Sequence, residues 1–406
     1  MISSERSASV TVSNLDSAAQ LLLILARIEL DSHQLELARQ LAGEISDWTD
    51  FRTRARAHFI LPLAYRHLRR LGGEILPKRE WEEFRVQSLQ LISRSLLITA
   101  AQRDLVNDLL CPMEVPFLLI KGHALAARYY PEPAERYSRD IDVLVPQKVL
   151  TEVIQRALSI GYAQPSDQEP WSRQHIEAMA RYQPEITLIS PRGVPVEFHS
   201  RLDKSGLIFD TEALLESRQL TELLGNQVTM LSTVDHFVYL CLHHTRHLWS
   251  HLHWLVDLDA ILNSAEFDIE EVRARAASLK LSSTVDACID MHQQLVSAPA
   301  NLKNSGQDPV SDLIRHCLIH VQGTPEIERE IRKNRPYSDF AFEWQAADSP
   351  KIKGRFRQLV RLLKPDMDDY NQFPLPVSMH WFYFLLRPIA GIRRRIKKME
   401  IHPHEQ

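Results

Sequence analysis

The spacing of apolar residues divides this chain into long stretches of helical period, interrupted by one block with the shorter period of strands. Near the start, SAAQLLLILARIEL (17–30) is dense enough in apolar residues to form a buried helix. From residue 46 to 71, SDWTDFRTRARAHFILPLAYRHLRRL keeps a helical period throughout. Ser46 or Asp47 is placed to cap it, and Leu71-Gly72-Gly73 to stop it. Residues 78–110 carry good helix formers and no internal Gly or Pro, which predicts one long helix. Its Leu89, Leu91, Leu96, Leu97 and Leu105 imply that it packs against other elements.

The period then shortens. VPFLLI (115–120) reads as a buried strand ending at Lys121-Gly122, and HALAARYY (123–130) as a helix that Pro131 ends. IDVLVP (141–146) is a second strand, followed by an amphipathic helix over 147–162 with a glycine stop. EITLISPRGVPVEFHS (185–200) predicts a hairpin around Pro191-Arg192-Gly193. Beyond Leu207 the pattern is again helical, with a loop by composition at 297–312. The expected fold class is α+β, a small mixed-sheet core embedded in a mostly helical protein. Four regions are expected: an N-terminal helical region (1–110), an α/β core (111–206), a helical region (207–345) and an aromatic, then basic tail (346–406).

Composition changes this picture little. Hydrophobic residues make up 44% and charged residues 25% of the chain, as in an ordinary globular protein. The net charge of −4 gives no global argument for nucleic acid or membrane, so any polyanion site has to be local. The four cysteines are scattered without a CxxC pair, which predicts a reducing, cytoplasmic setting. The N-terminus lacks the apolar core of a signal peptide, and no apolar run reaches the length of a membrane span.

Chemistry concentrates in FLLIKGHALAARYYPEPAERYSRDIDVLVP (117–146). Residues two apart on a strand share a face, so Asp140 and Asp142 are expected to project together, with Ile141 turned to the core. Two adjacent carboxylates resist ionisation unless a cation lies between them, and hard oxygen ligands suit Mg2+ or Mn2+. In VPVEFHS, Glu197 and His199 share the face opposite Val194, Val196 and Phe198, so Glu197 supplies a third acid if the two strands are neighbours. An acid pair at a strand end is by itself a common surface feature. The order of glycine turn, acid pair and later acid is more specific. Gly122, at a strand-to-helix turn, lets phosphate oxygens approach backbone N–H groups.

In that order the segment LLIKGHALAARYYPEPAERYSRDIDVLVP, followed by VEFHSRL, resembles the uncharacterised bacterial nucleotidyltransferase family of the polymerase-β-like superfamily. The likeness extends, more weakly, through helical segments from about residue 15 to 290. It implies transfer of a nucleotidyl group from an NTP with two Mg2+ ions. Asp140 and Asp142 would hold metal, Glu197 would complete the site and Gly122 would flank the triphosphate. Many superfamily members have Gly-Ser at this turn. This chain has Lys121-Gly122, and Lys121 is expected to replace the serine contact by charge.

Four side-chain groups stand beside that core. Arg136 is better placed than Arg139 to neutralise a triphosphate, although loop arginines are commonly solvated. His199 is a second partner for the acids or a proton acceptor for an incoming hydroxyl. His243, His247 and His251 share one face if their helix is unbroken. The absence of Glu at position 244 excludes an HExxH zinc site. Packing against Trp249 and Trp254 is the commoner fate of such histidines, with His243, His247 or Asp257 lining the nucleotide or acceptor pocket as the other option. The tail carries Arg387, Arg393, Arg394, Arg395, Lys397 and Lys398, a solvated helix or a peripheral contact with anionic lipid or RNA. The expected partners are a nucleotide and an unknown acceptor, whether small molecule, peptide or RNA. The rival readings are a glycosyltransferase holding Mn2+ and a nucleotide-sugar through D-x-D, a toxin–antitoxin enzyme acting on tRNA, and a non-catalytic binding module of the same fold.

Overall fold

The structure, a computed structural model, describes residues 15–165, 170–203, 206–223, 226–297, 309–323 and 365–386. Helices α1 (Ser17–Leu25), α2 (Ser32–Gly43), α3 (Trp48–Ala57) and α4 (Leu61–Leu71) precede the long α5 (Lys78–Asp104), which continues as a π-helical turn to Leu110. Next come β1 (Leu118–Leu119), α6 (Gly122–Tyr129), β2 (Ile141–Leu144), α7 (Leu150–Ser159) and α8 (Arg173–Tyr182), then the hairpin of β3 (Glu185–Ile189) and β4 (Pro195–His199). After α9 (Thr211–Glu216), the strands β5 (Gln219–Leu223) and β6 (Asn226–Met230) lead into α10 (Thr233–Arg246), α11 (His253–Leu262), α12 (Ile269–Leu279), α13 (Ser282–Ser297) and α14 (Pro309–Gln322). The last described elements are α15 (Met367–Gln372) and a 3-10 segment, Val377–Phe382. The six strands form a mixed sheet in the order β3-β4-β2-β1-β6-β5. The fold class is therefore α+β, as the periodicity predicts. Among the described residues, no helix is long and apolar enough to cross a membrane.

Two compact units divide the chain, each assembled from three segments: 1–100, 119–141 and 217–348 in the first, 101–118, 142–216 and 349–406 in the second. In the first unit α1 is buried on nearly every side, with Leu21 to Leu25 at most 2% exposed. The Asp16 carboxylate caps it by accepting from the Ala19 N–H. The single helix expected over 46–71 is two. Pro62 sits in the first turn of α4, where its missing N–H is harmless, but in a continuous helix its ring would collide with the carbonyl of His58. The chain breaks there, and Phe59 takes the left-handed conformation (φ 62°). Within α5, Leu91 is buried as expected, whereas Leu89 and Leu96 face solvent, so the helix packs along a narrower stripe than its leucines imply.

The hairpin of β5 and β6 also lies in this unit and interrupts the helical run expected after Leu207. Its first strand is mostly exposed, with Leu220 pointing outward, so the alternation that marks a half-buried strand is missing. Met230 of β6 pairs in parallel with Leu119 of β1. Behind β1, the His236 ring is fully buried and its Nε2–H donates to the Ile120 carbonyl at 2.9 Å. Burial, with Arg128 nearby, pushes its pKa down to about 3 from the ordinary 6.5. The unfolded chain therefore takes up a proton below pH 6.5 that the folded chain refuses until about pH 3. Stability is lost as pH falls through that window, by about 1.4 kcal/mol per pH unit from this group. His236→Gln keeps a neutral donor and is expected to reduce the acid-side slope of unfolding free energy against pH by about one proton. An unchanged slope would exclude His236 as a source of the acid sensitivity.

In the second unit, β3 and β4 pair in antiparallel register from Glu185↔His199 to Ile189↔Pro195, the hairpin the sequence predicts. Val194, Val196 and Phe198 are fully buried, so the polar residues between them face the other side. Helix α8, absent from the sequence reading, starts at a Ser172 cap and packs against α7 on one flank. It also packs against α15 and the 3-10 segment, where Gln174 Nε2 donates to the Leu375 carbonyl at 3.2 Å. Tyr383 is buried, its hydroxyl donating to the Phe373 carbonyl, while Trp381, Phe384 and Leu385 are exposed. The basic tail, from Arg387 to Lys398, lies outside the described residues.

Candidate metal centre

Strand β2 carries Asp142 at its second position, 4% exposed among apolar neighbours. Strand β4 ends in Glu197-Phe198-His199, and the Val145 N–H donates to the His199 carbonyl at 2.9 Å, fixing the register of this end. His199 Nε2 lies 3.0 Å from Asp142 Oδ1 and 3.5 Å from Glu197 Oε2. One ligand atom from each of Asp142, Glu197 and His199 lies within 4.8 Å of the other two. Ligands of one divalent cation stand about 2.0–2.3 Å from it, hence up to roughly twice that apart, and this group has that size. Two carboxylates and an imidazole, two of the three residues buried, form a donor set that a divalent cation fits. The imidazole suits Mn2+ better than Mg2+, which prefers oxygen throughout. Glu185 Oε2, 3.6 Å from His199 Nδ1, stands where a carboxylate orients a metal-binding histidine.

The sequence reading placed Asp142 and Glu197 together, and the structure brings them into one group with His199. Asp140 precedes β2 by one residue and is half-buried. Its carboxylate and its carbonyl both accept from the Ser138 hydroxyl, at 3.2 and 3.1 Å. Asp203, the other acid near this region, is a structural cap, since its carboxylate accepts from the N–H groups of Leu207, Ile208 and Phe209.

The turn into α6 is built as the glycine suggests. Lys121 is extended and half-buried at the cap position, and Gly122 has φ 67°, a conformation that side chains disfavour. A Cβ there would stand 3.4 Å from Ser138 Oγ and 3.6 Å from the Asp140 carbonyl. Gly122→Ala is therefore expected to cost about 1–2 kcal/mol through backbone strain. The loss is read as a lower urea midpoint, and a midpoint equal to that of the parent would show that the turn needs no glycine.

Arg136, expected at the triphosphate, is buried and held by Asp257 of α11, with Nε to Oδ1 at 2.9 Å and Nη2 to Oδ2 at 2.8 Å. Burial opposes its charge, but the Asp257 carboxylate overrides it and holds the guanidinium protonated beyond its ordinary range. Tyr130 donates to the same carboxylate at 2.6 Å, and burial next to that charge pushes its pKa well up. Asp257 is completely buried in this cluster. Arg139 instead lies over the Phe59 ring, 4.6 Å from its centre.

The histidine run does not line one helical face. Helix α10 ends at Arg246, and Leu248 and Trp249 are both left-handed (φ 59° and 52°), so His251 belongs to neither helix. Burial of Trp249, whose Nε1 donates to Thr245 Oγ1, offsets the strain of that break. His244 stacks on Trp254 at 4.9 Å, the core packing that the tryptophans suggest. His243 is half-buried, with its ring 4.6 Å from that of His247. Desolvation and the nearby Lys121 charge push its pKa well below the ordinary value, so it is neutral at physiological pH.

Sequence reasoning missed the two polar neighbours that complete these features, Ser138 beside the glycine turn and Glu185 beside His199. The cross-strand register is the signal that finds Glu185, since it pairs directly with His199. No curated protein matches the chain. A family model described as "uncharacterised nucleotidyltransferase" matches residues 44–300, starting later and ending later than the resemblance read from the sequence. That span takes in the glycine turn, both aspartates, the β3–β4 hairpin and α10 to α13, more than half of the chain, and the chain belongs to the uncharacterised nucleotidyltransferase family.

Proposed function

We propose that the protein transfers a nucleoside monophosphate from an NTP to an acceptor, releasing pyrophosphate, with a divalent cation held by Asp142, Glu197 and His199. The observation that carries this reading is the grouping of those three side chains on β2 and β4 in a chain of this family. The family resemblance adds Asp140 as a further metal ligand and assigns Lys121 with Gly122 to the triphosphate. The bound cation, Mg2+ or Mn2+, supplies charge stabilisation at the phosphoryl oxygens. The chain's own contribution is to hold the ligands in register through the β2–β4 pairing and to keep Asp142 out of water. In the reaction an acceptor oxygen forms the new bond to the α-phosphorus, the bond to the bridging oxygen breaks, and pyrophosphate leaves with the electron pair. Arg136 and Asp257 act at one remove, by fixing the loop that leads to Asp140. The scattered thiols support a reducing cytoplasmic setting.

Incubation with each labelled NTP, Mg2+ or Mn2+ and cell extract identifies the acceptor as the molecule that acquires label. Glu197→Gln is expected to lower that labelling by about a hundredfold, at least the loss seen when outer partners of a metal site are removed. Undiminished labelling would assign the third ligand elsewhere.

A further inference from the structure

Beside the metal centre the second unit has an open cleft of about 570 Å³, lined among others by Trp171, Met179, Tyr182, Glu185, Thr187 and Arg201. Glu185 joins the two, because the carboxylate that faces this cleft is the one 3.6 Å from His199 Nδ1. The opposite charge in the wall is Arg201. Its Nη2 donates to the Tyr182 carbonyl at 3.3 Å and its Nε is buried without a hydrogen-bond partner, while the Asp203 and Glu185 carboxylates favour its charge with no ion pair to it among the described residues. A half-buried guanidinium that no carboxylate grips directly has the geometry to take an anion on its outer face. Its stem passes close to Gly206 (φ 65°), where an added Cβ would stand 3.1 Å from Arg201 Cδ. The remaining walls mix aromatic and apolar side chains with Gln183 and Thr187, and Trp171 is itself stacked on His175.

We propose that this cleft receives the acceptor, a molecule whose carboxylate or phosphate pairs with Arg201 and whose ring or apolar body lies along Trp171 and Tyr182. The inference rests on the nucleotidyl-transfer reading and names the acceptor class for it. One arginine and one glutamate leave the cleft walls without excess positive charge, which is wrong for a triphosphate but right for a monoanion that also carries a hydroxyl. That hydroxyl lies toward Glu185. Its oxygen forms the bond to the α-phosphorus of the NTP, its proton passes to water at the open mouth of the cleft, and pyrophosphate departs with the electrons of the broken bond.

The test is calorimetric titration of the whole protein with 4-hydroxybenzoate, phenyl phosphate and neutral benzyl alcohol, and separately with ATP and Mn2+. Binding of at least one anion is expected, weakened about tenfold or more in Arg201→Met, as loss of a charge-assisted contact predicts. Which anion binds tells a carboxylate acceptor from a phosphate one. Thr187→Trp fills the cleft from its rim without touching the arginine, and is expected to block both anions should Arg201→Met fold poorly. ATP binding is expected to be unchanged in Arg201→Met. Failure of both anions to bind the parent, equal binding of benzyl alcohol, or anion binding that ignores both substitutions would overturn the acceptor cleft. Absence of ATP binding to the parent would instead overturn the nucleotidyl-transfer reading, whatever the anions do.

Discussion

Asp142→Asn is expected to lower nucleotide transfer by about a thousandfold, the scale of several kcal/mol of charge stabilisation by a correctly held cation. Asn fills the same space and keeps one acceptor oxygen, so the His199 contact at 3.0 Å has a partner and β2 has no cavity to close around. What disappears is the negative charge at a position only 4% exposed, where water cannot substitute for it. The same substitution removes like-charge repulsion with Glu197, so thermal stability is expected to stay level or rise. Divalent-cation binding, followed by calorimetry, should weaken in parallel with activity. Full turnover in a folded Asp142→Asn protein would remove the metal centre from the mechanism.

The second large effect is on stability. Asp257→Asn leaves Arg136 buried and charged without its counterion, a situation that costs about 3–5 kcal/mol in comparable pairs. Arg136→Met with Asp257→Leu removes both charges together and is expected to recover most of that loss, because neither desolvated charge then remains. Tyr130 keeps a residual penalty in the double variant, as its hydroxyl loses the 2.6 Å acceptor, worth about 1–3 kcal/mol. Urea unfolding of the parent, the single and the double variant separates these terms. A single variant within 1 kcal/mol of the parent, at about the scale of exposed pairs, would contradict the burial argument. A double variant no better than the single would show that the pair specifies the loop geometry as well as balancing charge.

Period-two alternation made the candidate site legible where it was strong. Val196 and Phe198 turned inward in the structure, which placed Glu197 and His199 on one side as the sequence implied. The gap was in what faces that side from elsewhere. Nothing local tells Arg136 that its partner stands 121 positions later on α11, so an arginine expected at the triphosphate is a buried one held by Asp257. Strands β5 and β6 were lost because their exposed, polar residues carry no alternation, and the break at Phe59 because helical period survives a one-residue left-handed kink. The Pro62 rule was present in the sequence and was outweighed by that periodicity. The helix-lining option for Asp257 gives way for the same reason as Arg136, since total burial is decided by packing and not by spacing.

The docking of α15 and Val377–Phe382 on α8 has a consequence for biosynthesis. Gln174 and Leu375 meet across 201 positions, so a ribosome adding about 5–20 residues per second emits the helix some 10–40 s before its cover. During that interval His175 and Tyr182 lack the rings of Tyr370, His380 and Tyr383 that pack on them in the finished fold, while β2 and β4 are already synthesised.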